Sequence, residues 1–236
     1  MIVPIYTELV STERGIVART PAFDHTSAVR AALDVFWRVG YDAASIPELE
    51  RATGLSRSSM YNSFGSKRGL FDAAVQFYLD RVVRPRLQPL TADPTTPDAI
   101  DTYLTGLRDA LARPDALPAL GGCLLINTAG SALADDPVVA ATIAAYRAEL
   151  FAAIRRGVSA RLPAHDPATI DRLAHACTGQ VVAAFALVRV SAAEAAQALT
   201  TARELIAACE EATSAHQIGH DGNLSLCAPV RRGPVP

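Results

Sequence analysis

Apolar residues recur every three to four positions along most of this chain, and glycines and prolines separate the runs. Val29, Leu33 and Phe36, with Ala32 beside them, form one stripe of a helix predicted over His25–Val39. Gly40 is expected to stop it and Trp37 to pack at its end. Leu70, Phe71, Ala74, Phe77, Tyr78 and Val82 repeat the spacing in a helix predicted from Ser66 to Leu87. Arg84 to Pro97 holds Pro85, Pro89, Pro94 and Pro97 and is expected to divide the chain. Beyond it the same period predicts helices over Asp98–Arg113, Leu120–Leu133, Pro137–Leu162, Pro167–Val190 and Ala192–Ala212. Helices with links this short make a bundle. Alanine is abundant and strand-type alternation scarce, so the expected fold is all-α. Residues 1–22 show no period and read as a flexible arm, and residues 213–236, rich in glycine, proline and histidine, as a disordered tail.

Between the first two long stripes lies Ser45–Phe64, which reads as two short helices joined by a tight turn. Ser45 is an N-cap with Glu48 three residues on. This is a capping box, in which the Ser45 oxygen takes the Glu48 N–H and the Glu48 carboxylate returns to the Ser45 N–H. Pro47 falls in the first turn, where its missing N–H costs nothing. Gly54 suits the left-handed stop, and Ser56 caps the second helix, Arg57–Phe64. Ile46, Leu49, Leu55 and Met60 face a common core, which leaves Arg57, Ser58, Ser59 and Asn62 outside. A short helix with an outward polar N-terminal face is what a major groove admits.

Charge changes this picture only mildly. The formal net charge is −2, with 11 Lys/Arg against 9 Asp/Glu in residues 1–90 and 11 against 15 in residues 91–236. The only lysine, Lys67, and Arg68 sit in the first turn of a predicted helix, where the dipole disfavours cations unless an anion is bound. Arg14 and Arg19 lie in the arm, and arms with arginines can enter a minor groove. The cysteines, Cys123, Cys177, Cys209 and Cys227, lack zinc spacing and need no disulfides, so a reducing cytoplasm is the expected location. Ile2–Ile5 is far too short to span a bilayer, and no signal peptide is expected. There is no Gly-rich phosphate loop, Gly-x-Ser-x-Gly elbow or Cys-x-x-Cys pair, so no cofactor and no enzyme activity are expected. His216 and His220, near Asp221 and Cys227, would share a metal only on a helix, and Gly219 and Gly222 speak against one. A helical small-molecule-binding or catalytic bundle without DNA contact is the alternative reading.

Ser45–Ile46–Pro47–Glu48–Leu49, Thr53–Gly54–Leu55–Ser56 and Tyr61–Asn62–Ser63–Phe64–Gly65–Ser66–Lys67 with Leu70 resemble a TetR-type transcriptional regulator. So does the lead-in Arg19–Thr20–Pro21–Ala22–Phe23–Asp24. Glu50, Thr53 and Ser63 depart from the usual Ala, Ala and His. The resemblance covers about residues 19–75. It implies a helix-turn-helix DNA-binding domain over 23–88 and a ligand-binding and dimerisation bundle over 97–212. Residues 1–16 then form an extension or follow an unused upstream start.

By the same resemblance Ser45, Tyr61 and Lys67 contact phosphates, and Arg57, Ser58, Ser59 and Asn62 reach base edges of a palindromic operator. The last two bundle helices pair in a homodimer through Val181, Phe185 and Val188 and through Leu199, Ala202, Leu205 and Ile206. A small-molecule effector binds among Phe77, Tyr78, Tyr103, Asn127, Tyr146, His175 and Phe185 and releases a repressor from DNA. Gly121–Gly122–Cys123–Leu124–Leu125–Ile126–Asn127 resembles a segment of family members that respond to electrophiles and oxidants. A thiol in a helix's first turn has a lowered pKa, which makes Cys123 a candidate sensor, although most free cysteines are simply small buried hydrophobes.

Overall fold

In a computed structural model of the chain, residues 24–113 and 121–221 are described, with side chains as far as Ala212. These residues contain helices and connecting turns and no strand. The first unit comprises α1 (His25–Ala43), α2 (Ile46–Thr53), α3 (Arg57–Phe64) and α4 (Lys67–Tyr78). Asp24 caps α1 by accepting from the Thr26 N–H at 3.1 Å. Gly40 takes φ 81° and kinks the last turn of α1, as a residue free of Cβ can. Phe36, Leu49, Met60, Leu70 and Phe71 are buried together. Phe71 sits edge-on to Phe36 at 5.2 Å, a preferred aromatic geometry.

The helix ends follow the sequence closely. Ser45 accepts from the Glu48 N–H at 3.3 Å, and Gly54 ends α2 at φ 71°. The return arm of the expected capping box is replaced: Glu48 instead accepts from Arg38 of α1 at 3.2 Å. A cation competes for a carboxylate better than a neutral backbone N–H does.

Within the expected Arg84–Pro97 break, the chain stays helical as far as Thr91. α4 runs through a π-type turn, Leu79–Val83, into α5 (Arg84–Thr91). The turn resets the helical register, so Pro85 falls in a first turn and loses nothing there. Leu87 and Leu90 are buried, and the chain leaves the helix at Ala92.

The second unit comprises α6 (Ala99–Leu111), α7 (Leu124–Ala129), a 3₁₀ turn (Ala132–Asp135), α8 (Pro137–Arg161), α9 (Pro167–Leu187) and α10 (Ala192–Asp221). Asp136 and Asp166 cap α8 and α9 just ahead of Pro137 and Pro167. By length and composition α8 is apolar enough to cross a membrane, with mean hydropathy 1.4. It nevertheless carries Arg147, Glu149, Arg155 and Arg156 and packs against α5, α6 and α9.

Three expectations for this unit are revised. The helix predicted over Leu120–Leu133 shrinks to α7, because Gly122 at φ 66° unwinds its start. α10 continues to Asp221 rather than ending at Ala212. Thr213–Ile218 holds no breaker, and a lone glycine inside a helix costs only about 1 kcal/mol. Val181, Phe185, Val188, Leu199, Ala202 and Ile206 are buried within their own protomer, where α9 and α10 pack on each other. Of the expected dimer contacts only Leu205 is exposed. The arm with Arg14 and Arg19, and the tail with Gly222 and Cys227, lie outside the described residues.

Candidate nucleic-acid interface and effector site

Ser56 organises the start of α3. Its hydroxyl accepts from the Ser59 N–H at 3.2 Å and lies 3.0 and 2.9 Å from the hydroxyls of Ser58 and Ser59. Met60 is the buried residue of α3, and Arg57, Ser58, Ser59, Tyr61, Asn62 and Ser63 are exposed. The Arg57 guanidinium rests 5.9 Å from the Tyr61 ring centre. Ser45 is exposed at the start of α2. Of the predicted reading residues, Ser45, Arg57, Ser58, Ser59, Tyr61 and Asn62 are thus exposed, Lys67 is half-buried, and Arg19 is not described.

The two cations at the start of α4 have different fates. Arg68 donates to Asp136 through both terminal nitrogens, at 2.8 and 3.2 Å, and to Asp72 at 2.8 Å. The Arg68 hydrogen bonds, helped by the Val139 and Val138 N–H groups, hold the Asp136 carboxyl down at about 2. Arg68 is thus committed to joining the N-terminal unit to the cap of α8. Lys67 makes no ion pair among the described residues; its ammonium lies 4.4 Å above the Tyr41 ring. Partial burial lowers its pKa, and Asp42 opposes the shift. The expected solvated or phosphate-seeking cation is therefore a half-buried one, held at the edge of the α3 face by an aromatic ring.

The effector residues divide. The Tyr78 hydroxyl donates to Cys123 Sγ at 3.3 Å, and the thiol donates to the Tyr146 hydroxyl at 3.4 Å. Tyr78, Tyr103, Tyr146 and Phe185 line one small cavity of about 20 Å³, room for a single water. Burial pushes all three phenols up, so they stay protonated. Cys123 is fully buried and forms the N-cap of α7, one position before the first turn where a lowered thiol pKa was expected.

Phe77, Asn127 and His175 lie elsewhere. Phe77 precedes Tyr78 by one position, about 100° around α4, and turns away, beneath Arg81. Asn127 donates to the Gly121 carbonyl at 2.6 Å and closes the glycine turn. His175 is exposed and stacks on Phe151 at 4.2 Å. A larger cleft of about 340 Å³ between α4 and α8, lined by Phe71, Val75, Leu125 and Val139, holds none of the predicted residues.

Sequence reasoning missed the link between the two sites. Trp37 of α1 donates to the Gly122 carbonyl at 3.1 Å and sits edge-on to Tyr78 at 4.9 Å. A Cβ on Gly121 would lie 2.6 Å from the indole, and one on Gly122 2.4 Å from the Phe185 carbonyl oxygen. The paired glycines are therefore what lets α1, α9 and the Cys123 turn meet. The adjacent Gly-Gly is a visible signal of close approach, but its partners are not.

An exposed second helix of a helix-turn-helix, carried by a helical head and joined to an all-helical bundle, is the arrangement of the helix-turn-helix class of proteins. Residues 28–74 match the family described as bacterial regulatory proteins, tetR family. Over that segment this chain is similar to that family's DNA-binding region. It is 30% identical over 138 residues to the HTH-type transcriptional repressor ComR of Escherichia coli (strain K12), covering 58% of this chain and 63% of that protein. It is 32% identical over 125 residues to the uncharacterized HTH-type transcriptional regulator YezE of Bacillus subtilis (strain 168), covering 52% and 62%. The chain thus spans under two thirds of the curated relatives it matches first. Among solved structures, a cysteine mutant of the TetR family regulator CifR in complex with a 26 bp double-strand operator DNA superposes with TM-score 0.63 at 25% identity. That match covers 78% of this chain and 97% of the other. A TetR regulator from Chloroflexus aurantiacus J-10-FL matches with TM-score 0.62 at 29% identity, over 76% and 92%.

Proposed function

We propose that this protein is a cytoplasmic, homodimeric transcriptional repressor that binds a palindromic DNA operator through α3 and is released by a small molecule bound in its bundle. The observation that carries the reading is the open polar face of α3, with Lys67 beside it as a cation that the fold leaves without an ion-pair partner among the described residues. Arg57 and Asn62 have the donors to read guanine and adenine edges. Ser45, Tyr61 and Lys67 are placed to fix register on phosphates. ComR is named a repressor, and CifR is seen on operator DNA; both support this assignment.

Dimerisation is assigned to the outer faces of α9 and α10, where Ala176, Gly179, Ala186 and Leu205 are exposed. Small residues let two helices approach closely. The effector is assigned to the cavity between Tyr78, Tyr103, Tyr146 and Phe185. A ligand that opens it presses on Tyr78 and, through Trp37, on α1 of the reading head. Release then requires the ligand to prefer the shape that does not bind DNA. The closed Cys123 site fits an apolar packing role better than an open thiol sensor.

The test is anisotropy of a labelled duplex with the double variant Arg57→Ala, Asn62→Ala. Both side chains are exposed, so the melting temperature is expected to hold while DNA affinity falls. Unchanged DNA affinity would contradict the assignment of α3.

A further inference from the structure

The tyrosine cavity has an outer neighbour. A surface groove of about 280 Å³ runs between α5 and α6. Arg86, Tyr103 and Leu107 line both spaces, so they form the neck between them. Arg113 lines the groove further out and is exposed. No Asp or Glu lines either space among the described residues.

Arg86 stands apart from its neighbours. Arg84 pairs with Asp80 and Glu149, Arg161 with Asp98 and Glu210, and Arg203 with Asp101. Arg86 is half-buried and makes no ion pair among the described residues. Its charge nevertheless acts on the phenols of both Tyr78 and Tyr103, which places it at the cavity wall. A guanidinium partly withdrawn from water without a counter-charge is costly, and a bound anion removes that cost.

We propose that groove and cavity form one site for an organic anion with an apolar body, its acidic group held by Arg86 and its body laid between Tyr103 and Leu107 toward Phe185. Arg113 draws the anion to the mouth. A cationic ligand would meet two like charges and no carboxylate. The phenols at the inner end supply hydrogen-bond donors and no charge. The groove approaches the lower size of pockets that hold drug-sized ligands, which run from roughly 300 Å³ upward. This inference rests on the bundle being the effector half and adds the chemical class of the effector.

The test uses two fluorescent probes that share one body, 8-anilinonaphthalene-1-sulfonate and the uncharged N-phenyl-1-naphthylamine, titrated into the full chain. The sulfonate is expected to bind about tenfold or more tightly than the neutral probe, the scale of a charge-assisted hydrogen bond. Arg86→Gln is expected to erase that preference while leaving neutral-probe affinity and circular dichroism unchanged, and Arg86→Lys to keep part of it. Equal affinities in the unmodified chain, or a preference that survives Arg86→Gln, would overturn the anion assignment and leave the pocket standing. Failure of both probes to bind would remove the pocket itself, and with it the effector reading. If Arg86→Gln fails to fold, the Arg86→Lys comparison and the wild-type probe ratio still decide.

Discussion

Lys67 and Arg68 are neighbours in sequence with opposite roles, and the difference is set by what each touches. Arg68 is fixed by Asp72 and Asp136, whereas Lys67 is held over Tyr41 at the rim of α3. Lys67→Ala is therefore expected to weaken binding to all duplexes about equally and to lower the salt slope by about one unit, measured by anisotropy across a salt series. Arg57→Ala is expected to cost about 1–3 kcal/mol and to relax one base position, read from binding to a panel of single-base operator variants. If both variants lose affinity with the same sequence profile, the division between phosphate and base contacts is wrong. Ser45, Gly54 and Ser56 were legible because their roles are local: a cap or a stop is set within three residues. Arg68 was not legible, because its partner Asp136 lies 68 residues away. Glu48 shows the same limit, since its capping geometry yields to Arg38 of another helix.

At the scale of elements, the glycine turn before α7 joins three helices. Gly122 combines a left-handed φ of 66° with a Cβ position 2.4 Å from a backbone oxygen that cannot swing aside. Gly122→Ala is expected to destabilise the chain by about 1–3 kcal/mol, seen as a shift of the denaturant midpoint. A shift within error would mean the turn is not packed as described. The helical stripes of α1, α4, α6, α8 and α9 were all readable from apolar spacing. The π-type turn Leu79–Val83 was not, because its sequence carries no punctuation and the four prolines downstream suggested an earlier break. Periodicity does not by itself gather the effector candidates, although Tyr78, Tyr103, Tyr146 and Phe185 line one cavity. It could not tell Phe77 from Tyr78, since adjacent helical residues are equally apolar here and point about 100° apart.

Across the whole molecule, ties between head and bundle among the described residues include Trp37 on the Gly122 turn, with Tyr78 on Cys123 beside it, and Arg68 on Asp136. The Arg68–Asp136 tie titrates. The folded value of Asp136, about 2, lies below its ordinary 3.8, so its contribution is complete above 3.8 and is lost as pH falls toward 2. Asp136→Asn keeps an N-cap oxygen and removes the charge. Its melting temperature is expected to lie below that of the unmodified chain at neutral pH, with the gap closing as pH falls through that window. A gap independent of pH would mean that the charge on Asp136 is not what stabilises the tie. Gly179 is exposed and meets no protein atom within 4 Å of a Cβ position, so Gly179→Glu is expected to leave the fold of the protomer intact. It is expected to split the proposed dimer in sedimentation velocity, and an unchanged sedimentation coefficient would move the interface away from α9.

The central assignment is that α3 reads DNA in pairs. Selection of bound duplexes from a random pool at moderate salt measures it directly. An enriched inverted repeat is expected, its half-sites about one helical turn apart or a multiple of it, as two recognition helices of one dimer require. A pool that stays unenriched at every salt concentration would contradict it.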